Sequence, residues 1–220
     1  IVPSHAVAAE LAEHLELGER IRVIPGAPSS TLIPLRDSAV RAEELGLPHQ
    51  YLLTVASIEP KKNLIALLEA LGSTREPLPL VVVGDDADAV RALAVGAGLP
   101  DGRVVALGSV PDEDLGVAYL HARAYLQPSA AEGFGLAVME ALGFGLPIVH
   151  TDVPALDELT AGAAITVSRE AEGLPARLAE AIDALDDATV ERLGTAAGDR
   201  ARAFSWRDSA EKVWQLHADL

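Results

Sequence analysis

The chain contains no cysteine, only three lysines and no long apolar run. The lack of cysteine excludes disulfides and thiolate metal sites, and the six histidines are scattered without ligand spacing, so we expect no metal centre. No apolar stretch approaches the roughly 18 to 20 residues of a membrane-spanning helix. Residues 1–5 also lack the basic start and apolar core of a signal peptide. These absences predict a soluble, cytoplasmic protein.

Positive charge is scarce as well. Seventeen lysines and arginines face 33 acidic residues, which gives a formal net charge of −16. A general nucleic-acid binder is therefore not expected, because affinity for a phosphate backbone needs clustered cations. The acidic excess is typical of a solvated surface that aids solubility. Any phosphate recognised by this chain must be held locally, and the adjacent Lys61 and Lys62 mark one place for it.

What the chain does have is enough apolar sequence for a core. Its 220 residues are 50% hydrophobic, which suits one large or two small domains. From Tyr51 onward, short continuous apolar strands alternate with helical patterns, which predicts an α/β fold, a Rossmann-like doubly wound parallel sheet followed by C-terminal helices. The predicted strands are 51–56, 80–83, 104–107, 124–126, 148–150 and 164–167, and the predicted helices are 64–71, 87–97, 114–121, 136–142, a short one near Leu156, 175–185, 189–203 and 205–220.

The first fifty residues differ from this repeating pattern. Residues 1–28 predict a helix over 6–15, a stop at Gly18 and a strand over 20–24, as if they were the remnant of a preceding domain. Residues 29–50 contain Pro34 and Pro48 and predict an interdomain linker with one short helix over 38–45. A strand without its sheet leaves backbone groups unpaired, so we expect self-association through residues 1–28.

One stretch organises the rest. Residues 129–142 form a glycine-rich turn that runs directly into an amphipathic helical pattern. The free amides at the start of that helix, with its dipole, attract an anion. Glu132 and Glu140 bracket the turn, and both can point at one bound molecule because helical side chains lean toward the N-terminus. Amides for a pyrophosphate and carboxylates for vicinal hydroxyls suit a sugar nucleotide. The alternative for Glu132 is a simple helix cap.

Other turns share this edge of the sheet, where the ligands of such folds bind. The turn 57–63 places Lys61 and Lys62 at a helix start with Asn63 as the expected N-cap, so the lysines are either phosphate contacts or solvated cations. The turn 83–88 contains Asp86-Ala87-Asp88, which is either a metal-binding Asp-x-Asp or, as we expect, an ordinary acidic helix start. The turn 107–112 is either a base contact or an ordinary turn. Glu158 is either a helix-terminal acid or a site residue.

Taken together, these motifs resemble the donor-binding half of family 4 retaining glycosyltransferases of the GT-B fold. The resemblance spans residues 51–220. It rests on Lys61-Lys62-Asn63, Pro128-Ser129, the run from Glu132 to Leu136, Glu140-Ala141, the run from Gly145 to Val149, and Glu158. In that family the C-terminal domain binds the nucleotide sugar and an N-terminal domain binds the acceptor, so the resemblance implies that this chain contains the first and mostly lacks the second.

The resemblance also implies roles for individual residues. Lys62 would contact the donor phosphates, Glu132 the hydroxyls of the transferred sugar, and Glu140 the ribose, with Lys62 and Glu132 as the catalytic pair. The further donor-binding residues would be Leu107 and Gly108 beside the base and Gly133, Phe134, Gly135 and Leu136 through their amides. Ser57 stands where many members have an arginine, and Lys61 is the candidate to replace that arginine.

The implied reaction moves a mannose-like or glucose-like hexose from GDP or UDP to a hydroxyl of a glycan or lipid-linked acceptor, with retention. Catalysis would be electrostatic and would require no metal or other cofactor. We expect this chain alone to bind nucleotide without transferring sugar, and the full-length enzyme to act in the cytoplasm at the inner membrane face. The alternatives are a GT-B epimerase or phosphorylase, and a receiver-like signalling domain that uses Asp85 and Asp86.

Overall fold

The structure, a computed structural model, describes residues 1–16, 20–33, 36–84 and 86–218. A six-stranded parallel sheet has the order β3-β2-β1-β4-β5-β6. This is the order of a classic Rossmann sheet, so the predicted doubly wound fold is confirmed. The strands are β1 (Leu52–Ala56), β2 (Leu80–Gly84), β3 (Val104–Gly108), β4 (Ala124–Gln127), β5 (Ile148–Thr151) and β6 (Ile165–Val167).

Ten α-helices and a short 3-10 helix at Pro60–Lys62 are found in the described part of the chain, and every predicted helix is among the ten with its ends shifted by at most two residues. The bounds are α1 (His5–His14), α2 (Ser38–Glu44), α3 (Leu64–Ser73), α4 (Ala87–Gly96), α5 (Asp112–His121), α6 (Leu136–Gly143), α7 (Pro154–Thr160), α8 (Leu174–Asp183), α9 (Asp187–Ala201) and α10 (Trp206–Ala218). Gly18, Pro34, Asp85 and the last two residues of the predicted final helix lie outside the described residues. None of the described helices has the length and apolar character needed to cross a membrane.

The core lies on both faces of the sheet. Successive residues of β1 point to opposite faces, and Leu52 and Leu53 are both fully buried in two different apolar clusters. Helices α5, α6 and α7 cover one face, while α3, α4 and α8 cover the other. This double cover explains the continuous apolar strands of the sequence. Between β1 and β4 the strand order reverses, and the crevice at this switch point is where such sheets bind ligands.

The predicted strand over 20–24 is wrong. Val23 makes a single parallel bridge to Val2, in which the Val2 amide donates to the Arg22 carbonyl and the Ile24 amide donates to the Val2 carbonyl, both at 2.9 Å. The start of the chain therefore supplies the pairing that was expected to be missing. Val2 and Ile24 are buried, while Ile1 remains 66% exposed.

Residues 29–50 pack on the sheet domain through apolar and polar contacts. Leu32 is buried in the core. Arg41 of α2 holds Asp114 of α5 through two parallel bonds, Nε to Oδ1 at 2.7 Å and an Nη to Oδ2 at 2.8 Å. This bidentate geometry is the strong form of an arginine–carboxylate pair. The predicted helix over 38–45 is confirmed as α2, while the proposed division of the chain into a remnant, a linker and a sheet domain stays a prediction.

Candidate functional site

Two of the predicted turns are bonded to each other at the carboxyl edge of the sheet. Strands β1 and β4 are neighbours, so the turns that follow them meet. The Ala130 amide donates to the Lys61 carbonyl at 2.7 Å, and the Asn63 side-chain amide donates to the Pro128 carbonyl at 2.9 Å. The prediction that Asn63 is the N-cap residue of α3 is confirmed, although its side chain makes no capping bond. Asn63 occupies the N-cap position in a left-handed conformation (φ 50°) with no capping bond, because its side chain crosses to the other turn.

Lys62 and Glu132 form the central pair of the site. Lys62 Nζ lies 2.6 Å from Glu132 Oε1, and the two side chains are only 21% and 13% exposed. The same carboxylate oxygen accepts from Ser129 Oγ at 2.8 Å and from Gln127 Nε2 at 2.9 Å. Glu132 is therefore held by three donors, and helix α6 has no side-chain cap. The alternative in which Glu132 caps the helix is wrong.

A buried polar chain stands behind Glu132. The Tyr125 hydroxyl donates to Gln127 Oε1 at 2.5 Å, and Gln127 Nε2 also reaches Ser129 Oγ at 2.6 Å. Tyr125, Gln127 and Ser129 are all buried, and burial raises the pKa of Tyr125. The sequence reading missed Tyr125 and Gln127 as site residues. The signal was present, because Gln127 is a polar residue at the end of a strand that is otherwise apolar.

The glycine turn has the geometry of an anion site. Gly135 precedes α6 with φ +87°, and an added Cβ would lie 2.5 Å from Leu156 Cδ2. Only glycine fits both the conformation and the space. Within the described residues, the amides of Gly135 and Leu136 have no hydrogen-bond acceptor, and Leu136 is 56% exposed. The Phe134 side chain packs toward Gly26.

Glu140 has different partners from Glu132. The Tyr119 hydroxyl donates to Glu140 Oε2 at 3.0 Å and also contacts the Ala137 carbonyl at 3.2 Å. Burial raises the pKa of Glu140 above its ordinary value, and the nearby Asp112 charge adds to this, while the Tyr119 bond opposes it. Burial likewise raises the pKa of Tyr119 well above its ordinary range. Glu140 is thus a partly desolvated carboxylate, a state typical of functional sites.

An open cleft of about 960 Å³ lies at the ends of β1, β2 and β3. Its lining includes Ile58, Gly84, Gly108 and Ser109. The Cβ of any other residue at Gly84 would lie 2.2 Å from the Ala56 carbonyl oxygen, so only glycine fits at this end of β2. Of the two residues predicted beside a base, Gly108 lines the cleft, whereas the side chain of Leu107 packs against the core.

The acidic turn after β2 is a helix start. Asp86 Oδ1 accepts from the amides of Asp88 at 2.9 Å and Ala89 at 3.2 Å, and Asp88 pairs with Arg91 at 2.5 Å. This matches the expected structural role of the Asp-x-Asp pair. Asp85 lies outside the described residues. Within those residues, no cluster of three or more histidine, aspartate or glutamate side chains could hold a metal ion.

Ser57 and Lys61 are joined through Glu59. Ser57 Oγ donates to Glu59 Oε1 at 3.1 Å, and Lys61 Nζ lies 2.8 Å from Glu59 Oε2. This bond raises the pKa of Lys61 and lowers the pKa of Glu59. Both lysines of the turn are therefore paired with a carboxylate, and Ser57 orients the carboxylate that holds Lys61.

Glu158 caps helix α1. Its two carboxylate oxygens accept from the amides of His5 and Ala6, at 3.0 and 3.1 Å. Ser4 Oγ accepts from the Val7 amide and donates to the Gly133 carbonyl at 3.1 Å. Glu158 therefore has a helix-terminal role, on a helix far away in sequence, and its role as a site residue stays a prediction. Ser4, which the sequence reading missed, ties residues 1–16 to the glycine turn.

Comparison with known proteins identifies the family of this chain. The family model for glycosyl transferases group 1 matches residues 35–197. O-antigen chain mannosyltransferase B of Escherichia coli is 34% identical over 165 residues, which cover 72% of this chain and 43% of that protein. D-inositol 3-phosphate glycosyltransferase of Corynebacterium efficiens is 31% identical over 236 residues, which cover 96% of this chain and 54% of the relative. The chain spans about half the length of these two relatives.

Solved structures show the same architecture. Sucrose-phosphate synthase from Thermosynechococcus elongatus superposes with a TM-score of 0.83 at 25% identity, covering 99% of this chain and 57% of the other. Anabaena Alr3699/HepE in complex with UDP-glucose superposes with a TM-score of 0.83 at 18% identity, covering 100% and 63%. The receiver-domain alternative is therefore wrong. The chain belongs to the glycosyl transferases of group 1, and its resemblance to the C-terminal domain of a GT-B, family 4-like enzyme is confirmed.

Proposed function

We propose that this chain is the donor-binding domain of a retaining glycosyltransferase that moves a hexose from a nucleoside-diphosphate sugar to an acceptor hydroxyl. One observation carries the proposal. Two hydrogen-bonded turns bring together the groups that such a ligand needs: backbone amides without a hydrogen-bond partner at Gly135 and Leu136, and the paired side chains of Lys62 and Glu132. Family membership supports the reaction class, and a structural neighbour solved with UDP-glucose supports the ligand class.

The diphosphate would lie at the start of α6. Free amides and the positive end of a helix dipole form a ready anion site. Lys62 adds a cation from the neighbouring turn, and Lys61 precedes it in the same turn. In a protein with a net charge of −16, the free amides and the helix dipole would be the main source of local positive potential, because each of the two lysines is paired with a carboxylate.

The nucleoside and the sugar would extend in two directions from the diphosphate. Glu140 would accept from the ribose hydroxyls, and the cleft lined by Gly84 and Gly108 would receive the base. Glu132 would accept from hydroxyls of the transferred sugar through Oε2, the oxygen that none of its three donors uses. A mannose-like or glucose-like hexose is consistent with the mannosyltransferase among the relatives.

Catalysis in this proposal is electrostatic stabilisation of the leaving diphosphate. Negative charge grows on the terminal phosphate as the sugar departs, and preorganised donors at that position lower the barrier. Lys62 and the amides of the glycine turn supply those donors, and the proposal requires no metal or cofactor. It further places a glycan or lipid-linked acceptor on an N-terminal domain, in a cytoplasmic enzyme at the inner membrane face. Self-association through residues 1–28 stays a prediction, which a measurement of the molar mass by light scattering would test.

Isothermal titration with GDP, UDP, ADP and NAD tests the proposal. Wild type should bind one nucleoside diphosphate, and Lys62→Ala and Glu140→Ala should each weaken it by about 1.5 to 3 kcal/mol, the range for a hydrogen bond to a charged group. Lys212→Ala and Glu180→Ala change exposed residues outside the site and serve as matched controls. Unchanged affinity in both site variants would show that the site assignment is wrong.

A further inference from the structure

Both lysines of the turn 57–63 are neutralised by carboxylates. Lys61 pairs with Glu59 in a solvent-exposed pair, with 55% and 56% of the two side chains exposed. Lys62 pairs with Glu132 in a mostly buried one. The four side chains together carry no net charge. Any anion that uses Lys62 therefore also meets the charge of Glu132, which is screened much less than an exposed charge.

Glu132 is fixed in place. Its Oε1 accepts from Ser129 and Gln127 as well as from Lys62. Gln127 is 3% exposed and Ser129 is fully buried, and the Tyr125 hydroxyl orients Gln127 in turn. Leaving this position would break three bonds and strand buried polar groups, which is costly. Lys62, by contrast, has two further N–H groups for a ligand while it keeps its bond to Glu132.

The carboxylate is close to any phosphate that Lys62 binds. A charge-assisted bond from Lys62 to a phosphate oxygen is about 2.8 Å long. With the Lys62–Glu132 separation of 2.6 Å, that oxygen lies no farther than about 5.5 Å from Glu132 Oε1. At such a distance in a partly buried site, one added negative charge on the phosphate is strongly felt.

A sugar nucleotide and the free nucleoside diphosphate left after transfer differ by one such negative charge. A sugar ester blocks the terminal phosphate, whereas free nucleoside diphosphate can ionise there a second time, with a pKa near 6 for a phosphate monoester. The ester also presents hydroxyls that a carboxylate can accept from, and the free diphosphate presents none at this position.

We propose that Glu132 makes the site prefer the sugar nucleotide over the free nucleoside diphosphate. Its Oε2 accepts from hydroxyls of the sugar, while its charge repels the extra negative charge of the unesterified phosphate. Glu132 thereby weakens the binding of the diphosphate left after transfer. Gln127 and Ser129 are positioning residues for this carboxylate. The inference rests on the proposed function, because it takes the diphosphate to lie beside Lys62.

Three ligands separate the two effects. GDP carries the extra charge, the P2-methyl ester of GDP lacks both the extra charge and the sugar, and GDP-mannose carries the sugar. If wild type binds UDP instead, the corresponding UDP ligands and UDP-glucose are used. Titrations near pH 8 compare wild type with Glu132→Gln. Glutamine retains an oxygen that can accept from Lys62, Ser129 and Gln127, so this variant removes the charge while keeping the shape.

Relative to the methyl ester, Glu132→Gln should bind GDP about tenfold more tightly and GDP-mannose about tenfold more weakly. Glu59→Gln removes the carboxylate of the exposed pair and should change all three affinities by the same factor, within about threefold. Glu132→Asp retains the charge on a shorter side chain. It should keep the wild-type ratio of GDP to methyl ester and lose affinity only for GDP-mannose.

The outcomes distinguish this inference from the function on which it rests. If wild type binds the nucleotides but the ratio of GDP to methyl ester is the same in wild type and Glu132→Gln, the charge discrimination is wrong and the donor-binding function stands. If wild type binds none of the nucleotides, the donor-binding function itself is wrong. If Glu132→Gln does not fold, the Glu132→Asp comparison decides, and equal loss for all three ligands would overturn the inference.

Discussion

Gly135→Ala should be one of the most disruptive small substitutions in the glycine turn. Gly135 has φ +87°, and the Cβ of alanine would lie 2.5 Å from Leu156 Cδ2 and 3.4 Å from Leu159 Cδ2. Leu156 is fully buried in the core, so its side chain has no open space to move into. The substitution therefore combines backbone strain with overpacking.

The two effects have separate magnitudes. A left-handed conformation costs a residue with a Cβ about 1 to 2 kcal/mol, and overpacking a core costs about 1 to 3 kcal/mol. Gly135→Ala should thus lower the free energy of unfolding by about 2 to 5 kcal/mol. Gly98→Ala is the matched control, because Gly98 has φ +72° with no atom within 4 Å of the added Cβ. It should show the strain alone.

Urea denaturation of the wild type, both single variants, Leu156→Ala and the double variant Gly135→Ala/Leu156→Ala measures these differences. Removing the Leu156 side chain makes room for the new Cβ. In that background, Gly135→Ala should cost only what Gly98→Ala costs, and the double-mutant cycle should show a coupling of about 1 to 3 kcal/mol.

Nucleotide affinity provides a second readout. Gly135→Ala moves the amides of residues 133–136, so it should weaken nucleotide binding under conditions where the variant remains folded, whereas Gly98→Ala should not. Equal unfolding free energies for Gly135→Ala and Gly98→Ala, together with additive effects in the cycle, would refute the packing argument.

Three further predictions concern charge. Arg41 lowers the pKa of Asp114, so the pair stabilises the fold above the ordinary aspartate pKa and loses this effect as the pH falls through the lowered value. The difference in unfolding free energy between wild type and Asp114→Asn should therefore be present at pH 7 and shrink below about pH 4. Glu113→Gln is the control. Burial lowers the pKa of His150, so wild-type stability should fall as the pH drops below about 6.5, and it should fall less steeply in His150→Gln; equal slopes in the two proteins would contradict this assignment. Nucleotide affinity should be indifferent to Mg and Mn apart from chelation of the free ligand, because Asp86 is engaged by backbone amides; a tenfold gain with Mn that disappears in Asp86→Ala would contradict the proposed mechanism.

The fold could be predicted because its signals are local. Each strand of the sheet is a short apolar run, and each helix starts near a recognisable turn. Parallel topology then brings the strand-to-helix turns to one edge, and so the order of motifs along the chain was enough to place Lys62 near the turn that contains Glu132. The prediction of a strand over 20–24 was wrong because an apolar pattern is local information, whereas pairing depends on a distant residue, here Val2.

The partners of the site residues could not be predicted in this way. Lys62 and Glu132 are 70 positions apart, and Glu158 reaches amides more than 150 positions away. Asn63 stands at the N-cap of α3, yet its side-chain amide donates to the Pro128 carbonyl instead of capping the helix. In each case the side chain could form hydrogen bonds with several partners, and tertiary packing rather than the local sequence determined which bond formed.

The contacts around Gly133 join the first residues of the chain to the glycine turn. Ser4 donates to the Gly133 carbonyl, Phe134 packs toward Gly26, and Glu158 of α7 caps the N-terminus of α1. An anion that draws the amides of Gly135 and Leu136 toward itself therefore acts on a turn whose other bonds lead to residues 1–26. A partly buried polar bond is costly to leave unmade, so we expect Ser4 and α1 to follow a displacement of the glycine turn. We therefore predict that amide hydrogen exchange of His5 and Ala6 slows when a nucleotide binds; unchanged exchange in the bound protein would contradict this coupling.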